Sequence, residues 1–396
     1  MRKIFFLFVA ASLLMLGSCD RTNYDIPQNE EQSFVKTIDG NVIPGQYVVF
    51  LKDGATAIKA AKLSYSDAQL MMKSEMVKIL ASSEISPREP LQVYTASTEG
   101  FAVKMTDEEA AALQTNEKVF GVWPDRIIIL AKPAPAPTPL PAEVTPPGIT
   151  RVGGGATYTG TKRAWIIDTG IDLTHPDLNV DVASGKTFIT RTTTPNDDNG
   201  HGTHCAGIVA AIDNTVGVVG VAAGAKVVPV KVLDKRGSGA MSVIIAGVDF
   251  VIAHGVAGDA ANMSLGGNVY EPLDLKIVEM GAKGIFVSLA AGNESDNANY
   301  HSPARANGAN IFTISACNKY DVFASFSNFG NPPIDYCAPG VSILSTYKGG
   351  GLAIMSGTSM AAPHACGVLL ATGGHPGSDG YVIGDPDGKP DPIIHK

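Results

Sequence analysis

From residue 164 onward, short apolar and β-branched runs alternate with longer stretches that fit helices. This alternation constrains the fold more than any other feature of the chain. Ala164 to Ile167, Val227 to Val232, Ala261 to Leu265, Ile285 to Ala290 and Ile311 to Ser315 read as buried strands. Gly202 to Ala211, Ser242 to His254, Leu273 to Gly281 and Ser359 to Leu370 fit helices. Strands buried on both faces belong in a parallel sheet with helices on either side, because a parallel connection must cross the sheet. The expected fold is α/β, with reactive groups at the carboxyl ends of the strands.

A smaller unit precedes this one. Tyr47-Val48-Val49-Phe50-Leu51 reads as a strand, Ser66 to Leu80 as a helix and Phe101 to Met105 as a second strand. Thr106 opens another helix, with Glu109 three residues on as a capping box, and Val119 to Leu130 is extended and apolar. That order predicts a small α+β domain over residues 46–130. Residues 131–148 contain Lys132-Pro133-Ala134-Pro135-Ala136-Pro137 and read as an extended linker. The larger unit is expected over 149–372, and the Gly-, Pro- and Asp-rich residues 373–396 as an irregular tail.

The start of the chain points to a compartment. Arg2 and Lys3 precede an almost wholly apolar run from Ile4 to Leu16, an export signal too short to span a bilayer. Leu16-Gly17-Ser18-Cys19 resembles a bacterial lipobox, which implies a signal over 1–19, lipidation of Cys19 and a polar tether over 20–45. The expected location is the bacterial cell envelope, at the outer membrane or cell surface, or outside the cell after processing. A formal net charge of −8 leaves no basic footprint for nucleic acid. The cysteines contain no Cys-x-x-Cys spacing, which excludes zinc ribbons and thioredoxin-type sites. Cys317 and Cys337 are candidates for a disulfide in an oxidising compartment.

Three segments place a reactive side chain where the backbone would expose it. Asp168 directly follows the Trp165-Ile166-Ile167 run. His201 opens an apolar helix in Asp197-Asp198-Asn199-Gly200-His201-Gly202-Thr203-His204. Ser359 starts another in Gly357-Thr358-Ser359-Met360-Ala361-Ala362-Pro363-His364, with Pro363 expected near the first turn. A serine hydroxyl is a weak nucleophile at neutral pH and needs a base. Histidine titrates near neutrality, and a helix N-terminus disfavours its cationic form. A carboxylate holds the ring in one tautomer. Negative charge developing on a substrate oxygen then needs donors, for which the Ser359 N–H and the Asn293 amide are candidates.

Asp168-Thr169-Gly170, the His201-Gly202-Thr203-His204 segment and the Ser359 segment, in that chain order, resemble the three catalytic motifs of the subtilases. Asn199 to Gly207 is similar to their proteinase K-like branch, and the resemblance extends from about Gly148 to Leu370. It implies a serine endopeptidase acting on polypeptides through an acyl-enzyme on Ser359, with Asp168 and His201 completing the triad and Asn293 as oxyanion donor. It also implies Ser264-Leu265-Gly266 and Ala290-Ala291-Gly292 as the walls of the pocket for the residue before the scissile bond. Gly237-Ser238-Gly239 becomes the edge that pairs with substrate backbone, and Met241 the lining of an adjoining apolar pocket. Such small walls suit apolar or aromatic side chains, with Glu294 leaving room for a basic one. No cofactor is required for the chemistry, and Asp335 resembles a family position for structural calcium. The small unit resembles the family's inhibitor-type propeptide, through Gln46 to Phe50 and Gly100 to Val103. That implies an autoinhibited precursor cleaved near Leu130-Ala131.

Rival readings fare worse. Aspartic proteases need two Asp-Thr-Gly triplets and this chain has one. A Gly-x-Ser-x-Gly elbow, the mark of α/β-hydrolases, is missing. His201 and His204 lack a nearby third zinc ligand, which makes His204, like His364, a packing residue. A surface-anchored binding protein on an inactive protease fold would typically have lost a triad member or the oxyanion donor, and all four are present. Cys205 is either a thiol near the site or a small packed hydrophobe, and Cys366 stands where the family usually has alanine.

Overall fold

The computed structural model describes residues 37–130 and 138–396, so Cys19 and the lipobox lie outside the described residues. In the small unit, Thr37–Leu51, Gln92–Tyr94, Gly100–Lys104 and Val119–Leu130 form an antiparallel sheet carrying helices Tyr65–Ser82 and Asp107–Gln114. Thr106 and Glu109 exchange the two hydrogen bonds of a capping box. The first strand begins at Thr37, inside the stretch read as tether, because Thr37 to Asp39 pair with Leu130 to Ile128. Partners so distant leave no mark on local composition.

The apolar run at 47–51 has two buried faces. Tyr47, Val49 and Leu51 pack with Met72, Met76, Leu80 and Phe101 beneath the unit's own helices. Val48 and Phe50, pointing the other way as strand alternation demands, join the core of the larger unit with Tyr94, Ala102 and Ile128.

The larger unit is built on a nine-stranded sheet. Its order is Gly377–Tyr381, Pro392–His395, Ile334–Pro339, Ile311–Cys317, Phe286–Ala290, Ala260–Met263, Ala164–Asp168, Val227–Lys231 and Lys186–Thr187. All neighbours run parallel except the first pair. Helices His201–Ala210 and Thr358–Thr372 pack on each other and on the sheet, and helices Met241–His254 and Glu271–Ala282 form a second pair, the first of them lying against the small unit's sheet.

Three sequence expectations need correction here. The tail is not irregular: Pro392–His395 adds to the parallel sheet through Cys337 and Ile393, and Gly377–Tyr381 pairs with it in turn. The later part of the linker is not free. Thr138 bridges Leu352, Ala142 and Val144 bridge Val216 and Val218, and Pro147–Arg151 is helical. Pro363 lies inside the Thr358–Thr372 helix, one turn later than expected. A proline there cannot donate to the carbonyl four residues back, which is that of Ser359.

Candidate active site

Asp168 is the last residue of its strand, and His201 the first of its helix. The two approach because the residue after the histidine has no side chain. A Cβ on Gly202 would stand 2.1 Å from the Gly170 carbonyl oxygen and 3.1 Å from Asp168 Cβ. His201 Nδ1 therefore lies 2.8 and 2.9 Å from the Asp168 carboxylate oxygens, with both residues buried. An ionised carboxylate only accepts, so Nδ1 carries the proton and Nε2 is the basic nitrogen. Among the described residues Nε2 has no hydrogen-bond partner.

Asp197, which the motif reading quoted without a role, organises this corner. Its Oδ1 accepts from Thr169 Oγ1 and from the Asn199 and Gly200 N–H groups, and its Oδ2 from the Thr203 N–H and hydroxyl, over 2.6–3.0 Å. Burial raises its pKa, and the bonds from Thr203, Gly200 and Asn199 oppose that rise. Lys231, also buried, donates to the Thr169 and Leu233 carbonyls and to Asp198. Together they clamp the end of the Asp168 strand to the start of the His201 helix.

Ser359 sits at the second position of its helix, after Gly357 as N-cap, so its N–H belongs to the donors that a helix leaves unpaired. Its carbonyl, released by Pro363, accepts instead from Ser264 Oγ at 2.8 Å and from the Cys205 thiol at 3.5 Å. Ser264 thus holds the Ser359 carbonyl from below. Burial, followed by the nearby Asp168 charge, pushes the Cys205 thiol well above its ordinary range, which keeps it protonated and able to donate. Ser359 Oγ donates to the Ser264 carbonyl at 3.3 Å.

Asn293 Oδ1 accepts from the Thr358 N–H at 2.8 Å and the Thr358 hydroxyl at 3.0 Å. The amide is thereby oriented with its NH2 as the donor end, and it lines a pocket together with Ser359, Leu265, Gly266, Ala290, Ala291 and Gly292. Glu294, which the sequence reading placed here as room for a basic side chain, also lines the pocket, and so does His301, which that reading missed. The His301 ring is held between carboxylates, with Nδ1 3.7 Å from Glu294 and Nε2 3.7 Å from Asp296. Both carboxylates lie on the connection that leads from Phe286–Ala290 into His301, seven and five residues before it. Met241 starts its helix and is fully buried in the main core, outside this pocket lining.

The edge Ser238–Ala240 is occupied by the chain's own segment: Ser238, Gly239 and Ala240 pair antiparallel with Ile129, Ile128 and Ile127, and the Leu130 N–H donates to Gly237 at 2.9 Å. The two units are further locked by polar groups. Asp249 accepts the Thr95 and Ala96 N–H groups and the Tyr65 hydroxyl, and Lys276 bridges Asp249, Ser97 and Thr98. Glu279 receives Ser97 and Thr98. Helix Met241–His254 lacks a side-chain cap of its own, and Asp125 supplies one by accepting the Ser242 N–H and hydroxyl.

His204 and His364 are packed. His204 Nε2 meets the Ile343 and Ala353 carbonyls and His364 Nδ1 the Met360 carbonyl, and burial lowers their pKa values to about 3 and about 4. Asp335 gives one oxygen to the Thr313 N–H. Among the described residues no set of three His, Cys, Asp or Glu side chains gathers around it. The one such set comprises Asp168, His201 and Cys205, where the imidazole proton already occupies the carboxylate.

Residues 165–373 match the model of the subtilase family, and residues 46–131 that of the peptidase inhibitor I9 family. An extracellular serine proteinase of Thermus sp. (strain Rt41A) is 34% identical over 91% of this chain and 88% of its own. Proteinase R of Parengyodontium album is 31% identical over 87% and 83%. The crystal structure of a cold adapted subtilisin-like serine proteinase is similar over 63% of this chain and 98% of its own, at 30% identity and a TM-score of 0.56. The chain belongs to the subtilase family of serine endopeptidases, and it carries an inhibitor-type propeptide ahead of its catalytic domain.

Proposed function

We propose that Ser359 is the nucleophile, His201 the general base, Asp168 its orienting carboxylate, and Asn293 with the Ser359 N–H the oxyanion donors. The carrying observations are the buried Asp168–His201 contact, which leaves Nε2 as the basic nitrogen, and the single pocket lined by both Ser359 and Asn293. Ser359 Oγ first turns away from the Ser264 carbonyl. It then attacks the peptide carbonyl as Nε2 takes its proton, and the carbonyl electron pair moves onto the oxygen. Collapse breaks the C–N bond, Nε2 returns the proton to the leaving amine, and water cleaves the ester by the same route. Intact mass after a serine-directed fluorophosphonate tests this. One adduct is expected on the wild type and none on Ser359→Ala, whose turnover falls by a factor on the order of 10⁶, the scale of triad loss in the relative subtilisin. No adduct on protein already free of its propeptide overturns the assignment.

The register of Ile127 to Leu130 on the Gly237–Gly239 edge supports cleavage just beyond Leu130, after Ala131. N-terminal sequencing that finds no processed form beginning between 131 and 148 overturns it. The pocket takes apolar side chains, and His301 limits their size. In a peptide library, small and medium apolar residues should dominate before the cut, and His301→Gly should extend the range to aromatics. A profile dominated by charged residues sinks this reading. The export signal and Cys19 support a lipid-anchored precursor, and cleavage after Ala131 separates the catalytic domain from that anchor. Palmitate incorporation that survives Cys19→Ser counts against the anchor.

A further inference from the structure

The match to the inhibitor family begins at residue 46, yet the first strand of the small unit begins at Thr37. Residues 37–42 pair with the end of Val119–Leu130, the same stretch that lies on the edge of the catalytic domain. Thr37, Ile38 and Asp39 stand opposite Leu130, Ile129 and Ile128, and Val42 opposite Arg126. On the other side, Ile129, Ile128 and Ile127 stand opposite Ser238, Gly239 and Ala240. Successive residues of an antiparallel strand turn their N–H and C=O groups to opposite neighbours. The Leu130 N–H donates to Gly237, so Leu130 and Ile128 serve the catalytic edge and Ile129 serves Ile38. Ile38 and Ile129 are therefore the pair that exchanges both backbone bonds, and residues 128–130 are bonded along two edges. Two register shifts, after Asp39 and after Val42, separate this pairing from that of residues 47–51, and Gly45 lies within the second at a φ of +67°. Such breaks interrupt the ladder, so the outer pairing can open while the rest stays closed.

We propose that residues 37–42, outside the shared inhibitor domain, form a strap that holds the cleaved end of the propeptide on the Ser238–Ala240 edge and sets the delay between cleavage and activity. This rests on cleavage just beyond Leu130. Once that bond is cut, residues 127–130 become a chain end, held to the catalytic domain by a few backbone bonds and by the buried side chains of Ile128 and Leu130. Chain ends fray unless they are tied down. Pairing with residues 37–39 ties this one, because the end is also an inner strand of the five-stranded sheet. It cannot peel from the edge one residue at a time as a lone strand would. A peptide competing for the same edge has to displace a two-stranded ribbon.

The test follows the full chain as it refolds from denaturant, recording intact mass and hydrolysis of a fluorogenic peptide together. Ile38→Pro removes the N–H that donates to Ile129 and leaves the ladder to the catalytic edge untouched. Cleavage should proceed at the wild-type rate. The delay from processed mass to peptide hydrolysis should shorten by a factor of about 3–10, the scale of one net backbone hydrogen bond. Asp39→Pro, whose lost N–H faces away from Ile128, should keep the wild-type delay. Deleting residues 37–42 should shorten it at least as much as Ile38→Pro, and the processed mass reports folding in every variant. An equal delay in wild type, Ile38→Pro and the deletion overturns the strap. Slower cleavage in Ile38→Pro also overturns it, by making the segment a part of folding. A wild-type chain with no processed form beginning between 131 and 148 overturns the cleavage position on which the strap rests.

Discussion

The propeptide and the catalytic domain are both sheets buried on two faces, but they achieve this differently. The catalytic sheet is covered by helices of its own domain, whereas the propeptide covers one face itself and leaves the other, with Val48, Phe50, Ala102 and Ile128, to its partner. The second arrangement leaves one propeptide face to be covered by its partner, and the same contact lays Ile127 to Ile129 along the Ser238–Ala240 edge.

The sharpest test separates the two faces of the propeptide sheet. Phe101→Ala removes a ring from the propeptide's own core and should cost about 3–5 kcal/mol of its stability. Phe50→Ala removes one that meets Tyr94, Trp123 and the Lys276 ammonium, and should spare the isolated domain while weakening its inhibition of mature enzyme. Urea unfolding and inhibition in trans give both quantities. Equal loss of stability in the two variants would erase the distinction.

Next in size is the polar lock. Asp249→Ala strands the Thr95 and Ala96 N–H groups and leaves the Lys276 ammonium short of a carboxylate, which should weaken propeptide binding by about 2–5 kcal/mol. Autoactivation should accelerate, while kcat/KM of the mature enzyme on short peptides stays near wild type. A matching fall in kcat/KM would mean that Asp249 serves the catalytic domain instead.

The smallest effect concerns the catalytic domain alone. His204 and His364 are held neutral by burial, at about 3 and about 4 against 6.5 for the free ring. Between those limits the unfolded chain binds more protons, so their contribution to stability is complete above 6.5 and is lost as pH falls toward 3. The buried acids Asp177 and Asp274, raised to about 6 and about 7, act in the opposite sense. His204→Gln should therefore flatten the acid limb of a Tm–pH profile; an unchanged slope would refute the assignment.

Much of this protein is legible in its amino-acid order. The triad candidates lie in contiguous segments because each is displayed by a local transition, from strand end to turn or from turn to helix, that needs particular neighbours such as Gly202. The alternation of apolar runs likewise predicts a parallel sheet, since only covered strands can be apolar on both faces. Other features arise only in three dimensions, where a group freed in one segment is satisfied from another. Pro363 releases a carbonyl that Ser264 and Cys205 capture from 95 and 154 residues away. Asp197 ties two motifs together, and a tail without apolar pattern completes a sheet because Ile334–Pro339 has an open edge to offer. Local sequence records what a residue needs from its neighbours in the chain; partners across the core are set by packing and hydrogen-bond satisfaction alone.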